Sequence, residues 1–211
     1  MAARMTRAII LANGPLPGIN RARTCLASGG LVVCADGGAG HARRLRIRPD
    51  CIIGDIDSVS ARTRAFFRDV PLLRIADQES TDLEKAVSYC IARRRPSVTI
   101  LGGLGGRIDH TAGNLGIFRK FGRLIDITMV DSHGELTLIR TRAALRANIG
   151  ETLSLIPLDR CTGVSTSGLR YPLRNESLEI GVREGTSNEA VARAVSIRVR
   201  KGTLLLYRIA S

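Results

Sequence analysis

The sequence predicts an α/β protein in two parts, an N-terminal, mostly parallel α/β sandwich domain followed by a smaller all-β sandwich domain. Three observations predict it. Short apolar runs alternate with helix-compatible stretches through the first two thirds of the chain, the rhythm of βαβ units and a right-handed parallel sheet. Most of those runs are continuously apolar, as strands covered on both faces are. After Asp131 the rhythm is replaced by short β-like runs separated by Gly, Pro, Asn and Ser, with no amphipathic helix of useful length, which reads as an all-β unit.

In chain order, strands are expected at 8–12, 31–35, 51–53, 71–75, 98–101 and 127–130, and helices at 20–27, 38–45, 61–67, 82–94 and 110–121. Thr81 and Glu84 stand at the spacing of a capping box in front of the fourth helix, where Asp82 would face the positive helix end. His133-Gly134-Glu135 reads as a turn into a strand at 136–140, and further strands are expected at 153–156, 177–182, 195–199 and 204–208. Arg200-Lys201-Gly202-Thr203 looks like a hairpin turn between the last two. The change of pattern puts the domain boundary in 141–150, giving an α/β domain over 1–145 and a β-domain over 146–211.

Composition narrows the function classes. Of 211 residues, 44% are hydrophobic and 24% charged, ordinary for a globular chain. No apolar stretch approaches the ~20 residues that span a bilayer, and the run 8–12 is short for a signal-peptide core. The expectation is a cytoplasmic protein without a membrane partner. Five cysteines are scattered singly, without the paired spacing of a metal or redox site and with an odd count that argues against a disulfide framework. The formal charge of +13 is almost all arginine, spread along the chain, and aromatic residues make up only 3%. Nucleic-acid binding is not expected, because a cationic surface without stacking rings lacks the usual single-strand platform.

The acids carry more information than the bases. Asp36 ends an expected strand and is followed by Gly37-Gly38, which permit a tight turn and close approach of a ligand. In Gly54-Asp55-Ile56-Asp57-Ser58 an extended backbone would send Asp55 and Asp57 to one side. Two carboxylates so placed favour a cation between them, and hard oxygen donors suit Mg²⁺ shared with substrate phosphates. Asp82 sits at a capped helix start, which can also serve an anion or metal. Gly102-Gly103-Leu104-Gly105-Gly106 precedes Arg107-Ile108-Asp109-His110. Backbone amides freed by glycine can approach phosphate oxygens, and Arg107 adds a permanent cation. The loop is neither a P-loop nor a dinucleotide fingerprint. Each feature alone is an ordinary turn, cap or connector; together they fall at successive strand ends, the ligand-binding edge of an open α/β sheet.

At these residues the sequence resembles the thiamine pyrophosphokinase family. Ala35-Asp36-Gly37-Gly38-Ala39, the stretch from Pro49-Asp50 to Asp57-Ser58, Thr81-Asp82-Leu83-Glu84 and Gly105 to His110 match its catalytic blocks in order. The likeness continues through Gly163 to Leu173 and Thr186-Ser187-Asn188-Glu189. It implies an enzyme, a thiamine diphosphokinase that moves a diphosphate from ATP to the hydroxyethyl group of thiamine, giving thiamine diphosphate and AMP. It also implies a homodimer with active sites at the subunit interface. On that resemblance Asp36, Asp55, Asp57 and Asp82 gather Mg²⁺. Asp55, Asp57, Asp82 and Arg107 serve catalysis, and Asp36, Thr81, Arg107, Asp109 and His110 face ATP. Gln78, Ser187 and Asn188 meet thiamine. The β-domain would contribute to thiamine binding and dimerisation. Two departures stand out: the chain has no tryptophan to stack on thiamine, and Gly40 replaces the asparagine often found after the Asp-Gly-Gly-Ala block. The rivals are a diphosphotransferase acting on another primary alcohol, such as a pterin, and an arginine-rich RNA-binding protein.

Overall fold

The structure is a computed structural model that describes residues 7–210. The chain forms two compact units, residues 7–117 with 124–132, and residues 118–123 with 133–210.

The first unit is built on six parallel strands: β1 (Ala8–Leu11), β2 (Leu31–Ala35), β3 (Cys51–Gly54), β4 (Leu72–Arg74), β5 (Ser97–Leu101) and β6 (Asp126–Val130). Their spatial order is β4-β3-β2-β1-β5-β6. Five helices alternate with them: α1 (Ile19–Ala27), α2 (Ala39–Leu45), α3 (Ala61–Phe66), α4 (Asp82–Ala92) and α5 (Ile108–Phe121). β1 is buried along its whole length, as its unbroken apolar sequence requires of a strand covered on both faces. Ile9, Leu11, Cys34 and Ile52 from three strands pack with Leu26, Ala42, Leu45 and Phe67. The edge strand β4 is shorter than the 71–75 expected, and its side chains are largely exposed.

Because β2 leaves one side of β1 and β5 occupies the other, the strand order reverses at β1. The loops that follow β1 and β5 therefore diverge and open a crevice at the carboxyl edge. Two local devices define that edge. A short 3₁₀ turn, Asp36–Gly38, leads straight into α2. A Cβ on Gly38 would lie 1.9 Å from the Leu11 carbonyl oxygen, so only glycine lets this turn pack on the end of β1. The capping box before α4 is present in both directions: the Thr81 hydroxyl accepts from Glu84 N–H, and Glu84 accepts from Thr81 N–H, each at 3.2 Å.

The second unit holds two antiparallel four-stranded sheets. One runs β12 (Gly185–Glu189), β9 (Thr152–Pro157), β14 (Leu204–Ile209), β7 (Gly134–Ile139); the other runs β11 (Glu176–Leu178), β10 (Cys161–Ser167), β13 (Ala194–Arg198), β8 (Arg142–Arg146). Leu153, Leu155, Leu204 and Leu206 from the first sheet meet Val164, Leu178, Val195 and Ile197 from the second in one apolar layer, the construction of a β-sandwich.

Three expectations change here. Residues 133–145 belong to this unit and not to the first, where the 145/146 boundary expected had put them, because β7 pairs with β14 and β8 with β13. The 200–203 turn does not close a hairpin: β13 pairs with β8 and β10 whereas β14 pairs with β7 and β9, so the chain changes sheets at that turn. The strand expected at 177–182 ends at Leu178, after which Glu179 and Arg183 close a turn. β8, β10 and β12 were not anticipated, since Arg-Ala-Ala-Leu-Arg, Cys-Thr-Gly-Val-Ser-Thr-Ser and Gly-Thr-Ser-Asn-Glu carry few β-forming apolar residues.

Candidate active site

The site begins with two strand ends. Asp36 follows β2 in a left-handed conformation, φ 40°, and is buried. Its Oδ2 accepts the Ser58 backbone N–H at 3.2 Å, while its Oδ1 is buried without any hydrogen-bond partner. Burial raises the proton affinity of this carboxyl, and the neighbouring Asp82 and Asp55 carboxylates push it the same way against the relief from Ser58. An orphaned buried carboxylate oxygen is a costly feature, and a cation beside it would remove the cost.

Asp55 and Asp57 come next, just past β3. The backbone is not extended there: Gly54 has φ 151° and Ile56 has φ 69°. A β-branched residue in the left-handed region is a true outlier of the kind that clusters at functional sites. Asp55 Oδ1 accepts the Asp57 N–H at 3.3 Å, and the Ser58 hydroxyl donates to Asp57 Oδ1 at 3.1 Å. Hydrogen bonding to Asp55, then to Ser58, holds the Asp57 carboxyl below its ordinary range. The turn, not strand alternation, brings the carboxylates together: one oxygen each from Asp36, Asp55 and Asp57 lies within 4.8 Å of the others. Three hard oxygen donors at that spacing fit a divalent cation such as Mg²⁺.

This cluster edges a cleft of about 670 Å³ at the carboxyl end of the sheet. Asp82, in the first turn of α4, lines it and accepts from Lys85 Nζ at 3.2 Å; the Lys85 side chain is only 6% exposed. Gly54 lets Asp36 and Asp82 close on each other, because a Cβ there would stand 3.0 Å from Asp36 Cβ and 2.9 Å from Asp82 Oδ1. Opposite lies the glycine-rich loop after β5, with Gly102, Gly105 and Gly106 all at positive φ. Asn114 of α5 braces it by donating to the Gly103 carbonyl at 2.8 Å. Arg107 lines the cleft and donates Nε–H to Asp109 Oδ1 at 3.1 Å, with a second bond from its terminal nitrogen to Oδ2. Arg107 holds the Asp109 carboxyl down to about 2.

The structure brings Asp36, Asp55 and Asp57 into one cluster and sets Gln78, Thr81, Asp82, Arg107 and His110 around the same cleft. Asp109 is turned to Arg107 and to the His110 N–H. Ser187 and Asn188 belong to the second unit. There the Ser187 N–H donates to Ser154 Oγ at 2.9 Å, and the Asn188 side chain is buried with its amide spent on the Tyr171 backbone, donating to O at 2.7 Å and accepting from N–H at 3.1 Å. Sequence reasoning missed Asn13, Lys85 and Asn114. Lys85 was legible as the residue one helical turn after Asp82, and Asn13 as the residue following β1 at the same sheet edge.

A parallel sheet reversed at β1, with a metal-competent carboxylate cluster and a glycine-rich loop flanking the crevice, defines an α/β protein equipped to hold a phosphate-bearing ligand with a divalent cation. Comparison with known proteins then places it. Residues 22–129 match the sequence profile described as "Thiamin pyrophosphokinase, catalytic domain", and residues 139–204 match "Thiamin pyrophosphokinase, vitamin B1 binding domain". The chain belongs to the thiamine pyrophosphokinase family. It is 29% identical over 209 residues to thiamine pyrophosphokinase 1 of Oryza sativa subsp. japonica, covering 85% of this chain and 78% of that one. It is 30% identical over 162 residues to thiamin pyrophosphokinase 1 of Caenorhabditis elegans, covering 71% and 66%. The fold is that of the Bacillus subtilis thiamine pyrophosphokinase crystal structure, with a TM-score of 0.85 at 23% identity over 98% of this chain and 100% of that one. The Candida albicans thiamin pyrophosphokinase superposes with a TM-score of 0.86 at 15% identity over 97% and 89%.

Proposed function

We propose that this chain is a thiamine diphosphokinase that transfers the diphosphate of ATP to the hydroxyethyl oxygen of thiamine, releasing AMP. The observation that carries the reading is the carboxylate cluster of Asp36, Asp55 and Asp57, with its orphaned buried oxygen, beside the glycine-rich loop in a family-matched catalytic domain. Those three residues would hold Mg²⁺, with Asp82 facing the same space. Bound there, the ion would neutralise phosphate charge and favour departure of AMP.

The protein's own groups do the positioning. Free amides of the loop at Gly102–Gly106 would receive phosphate oxygens, and Thr81 at the start of α4 would face ATP beside them. Arg107 spends two of its five donors on Asp109, leaving three for substrate oxygens. Asp109, held near 2 by Arg107, stays ionised and orients the guanidinium; it is a poor acceptor for the thiamine hydroxyl proton. His110 would take part in the nucleotide side as a hydrogen-bonding residue. Gln78, Ser187 and Asn188 would face thiamine. For Asn188 this means holding the Tyr171 turn in place, because its amide oxygen and one of its two N–H groups are bonded to the Tyr171 backbone.

The family resemblance supports a homodimer with active sites between subunits and a β-domain that contributes to thiamine binding and dimerisation. It supports a cytoplasmic enzyme; no helix among the described residues is long and apolar enough to cross a membrane. The test is direct. Protein incubated with ATP, Mg²⁺ and thiamine should yield thiamine diphosphate and AMP in equal amounts by mass spectrometry. Thiamine monophosphate with ADP, or a preference for hydroxymethylpterin over thiamine in competition, would refute the reading.

A further inference from the structure

His41 lies outside every motif discussed so far, on α2, one turn past the Asp36 turn. Its Nε2 is 2.8 Å from the Gly14 carbonyl oxygen, and its Nδ1 is 2.7 Å from a terminal nitrogen of Arg44. Those two partners settle the tautomer. A guanidinium only donates and a carbonyl only accepts, so Nδ1 carries the lone pair and Nε2 carries the hydrogen. Burial, ahead of the other influences, lowers the proton affinity of the ring, which keeps it in that neutral form.

The group that His41 grips matters. Gly14 lies in the segment following β1, and Asn13, Gly14 and Pro15 all line the cleft. The Gly14 N–H donates to the Gly102 carbonyl at 2.9 Å, and a Cβ on Gly14 would stand 2.5 Å from that oxygen. Pro15 lies against the glycines that precede Arg107: a Cβ on Gly106 would stand 3.3 Å from its Cδ, and one on Gly105 would stand 3.7 Å from its Cγ. On the other side, the Asn13 side chain rests on Gly37, 2.6 Å from where a Cβ would be. The Asn13–Pro15 segment is thus a strap that the His41 ring anchors to α2.

We propose that His41 is a positioning residue, which, aligned by Arg44, holds the Gly14 carbonyl so that the Asn13–Pro15 strap supports the glycine-rich loop where it meets the phosphates of ATP. The inference rests on the reading of this cleft as the nucleotide site. Its expected signature is a change in nucleotide affinity with thiamine affinity untouched.

The test compares His41→Ala, which deletes the donor, with His41→Gln, which keeps an N–H donor on a side chain of related reach. Loss of one hydrogen bond to a strap predicts a rise in KM for ATP of about threefold to tenfold in His41→Ala, a smaller change in kcat, and KM for thiamine within about twofold. His41→Gln should recover most of the loss. Hydrogen exchange supplies a readout independent of turnover: the Gly14 amide should exchange faster in His41→Ala than in wild type, with the β1 amides unchanged. Unaltered KM for ATP and unaltered Gly14 exchange in a folded His41→Ala protein would overturn the proposal. So would equal losses for both substrates tracking a lowered melting temperature, or a glutamine variant no better than alanine. If wild type forms no thiamine diphosphate, the functional reading falls by itself; Gly14 exchange and calorimetric titration with Mg²⁺-ATP still decide the role of His41.

Discussion

Replacing Asp36 by Asn should make the metal-free protein more stable and the enzyme inactive. One oxygen each from Asp36 and Asp55 lies within 4.8 Å, a separation at which two charges repel by about 3 kcal/mol at an effective dielectric near 20. Asp55 is partly exposed, and solvent screening reduces that to about 1 kcal/mol. Asparagine removes the repulsion, keeps a carbonyl oxygen for the Ser58 N–H, and turns a donor toward the other carboxylates in place of the partnerless Oδ1. In excess chelator at pH 7 the variant should melt about 2–4 °C above wild type, the shift that 1 kcal/mol produces in a chain of this size. The sign with pH follows from the raised proton affinity of Asp36. Between the unfolded value near 3.9 and the higher folded value, the native state holds more protons, so wild-type stability falls as pH rises. The gain should therefore be present above the raised folded value, shrink as pH falls through it, and be absent below about pH 3.9. Adding Mg²⁺ should raise the wild-type melting temperature and leave the variant's nearly unmoved, and turnover should fall at least about a hundredfold. A variant less stable than wild type in chelator at pH 7 would refute the reasoning, because the carboxylate would then be a structural asset and not a site waiting for a cation.

Three further outcomes are expected. Asp57→Asn should keep the fold, since the side chain is exposed, and lose at least about 90% of AMP production from ATP, Mg²⁺ and thiamine; near-normal release would remove Asp57 from the metal site. Gly38→Ala should destabilise by about 3 kcal/mol or more, because its Cβ would fall 1.9 Å from the Leu11 carbonyl oxygen and 2.6 Å from the Leu11 carbonyl carbon, and chemical denaturation would register the loss. Thr81→Ala should cost about 1 kcal/mol of stability by undoing the capping box. It should also lower kcat through displacement of Asp82; an unchanged kcat in a protein that melts lower would confine Thr81 to capping.

The alternation of apolar runs with helical stretches determined the first unit closely. β1 and β2 are continuous hydrophobic strands whose identity needs no knowledge of their neighbours, and the capping box starts α4 from local chemistry alone. The acids at strand ends were legible for the same reason: the carboxyl edge of a parallel sheet is a place that strand order in the sequence already defines. The second unit was less legible. β8, β10 and β12 hold their place through pairing with β13, β11 and β9, and they carry few large apolar side chains of their own. The path through 200–203 depended on which sheet received Leu204 and Leu206. Only the tertiary structure decided that Asp55 and Asp57 converge through a left-handed Ile56, that Asp36 buries an oxygen without a partner, that Lys85 reaches the cleft, and that His41 reaches the Gly14 carbonyl. Those facts are set by distances between segments far apart in the chain, and composition and spacing carry no measure of such distances.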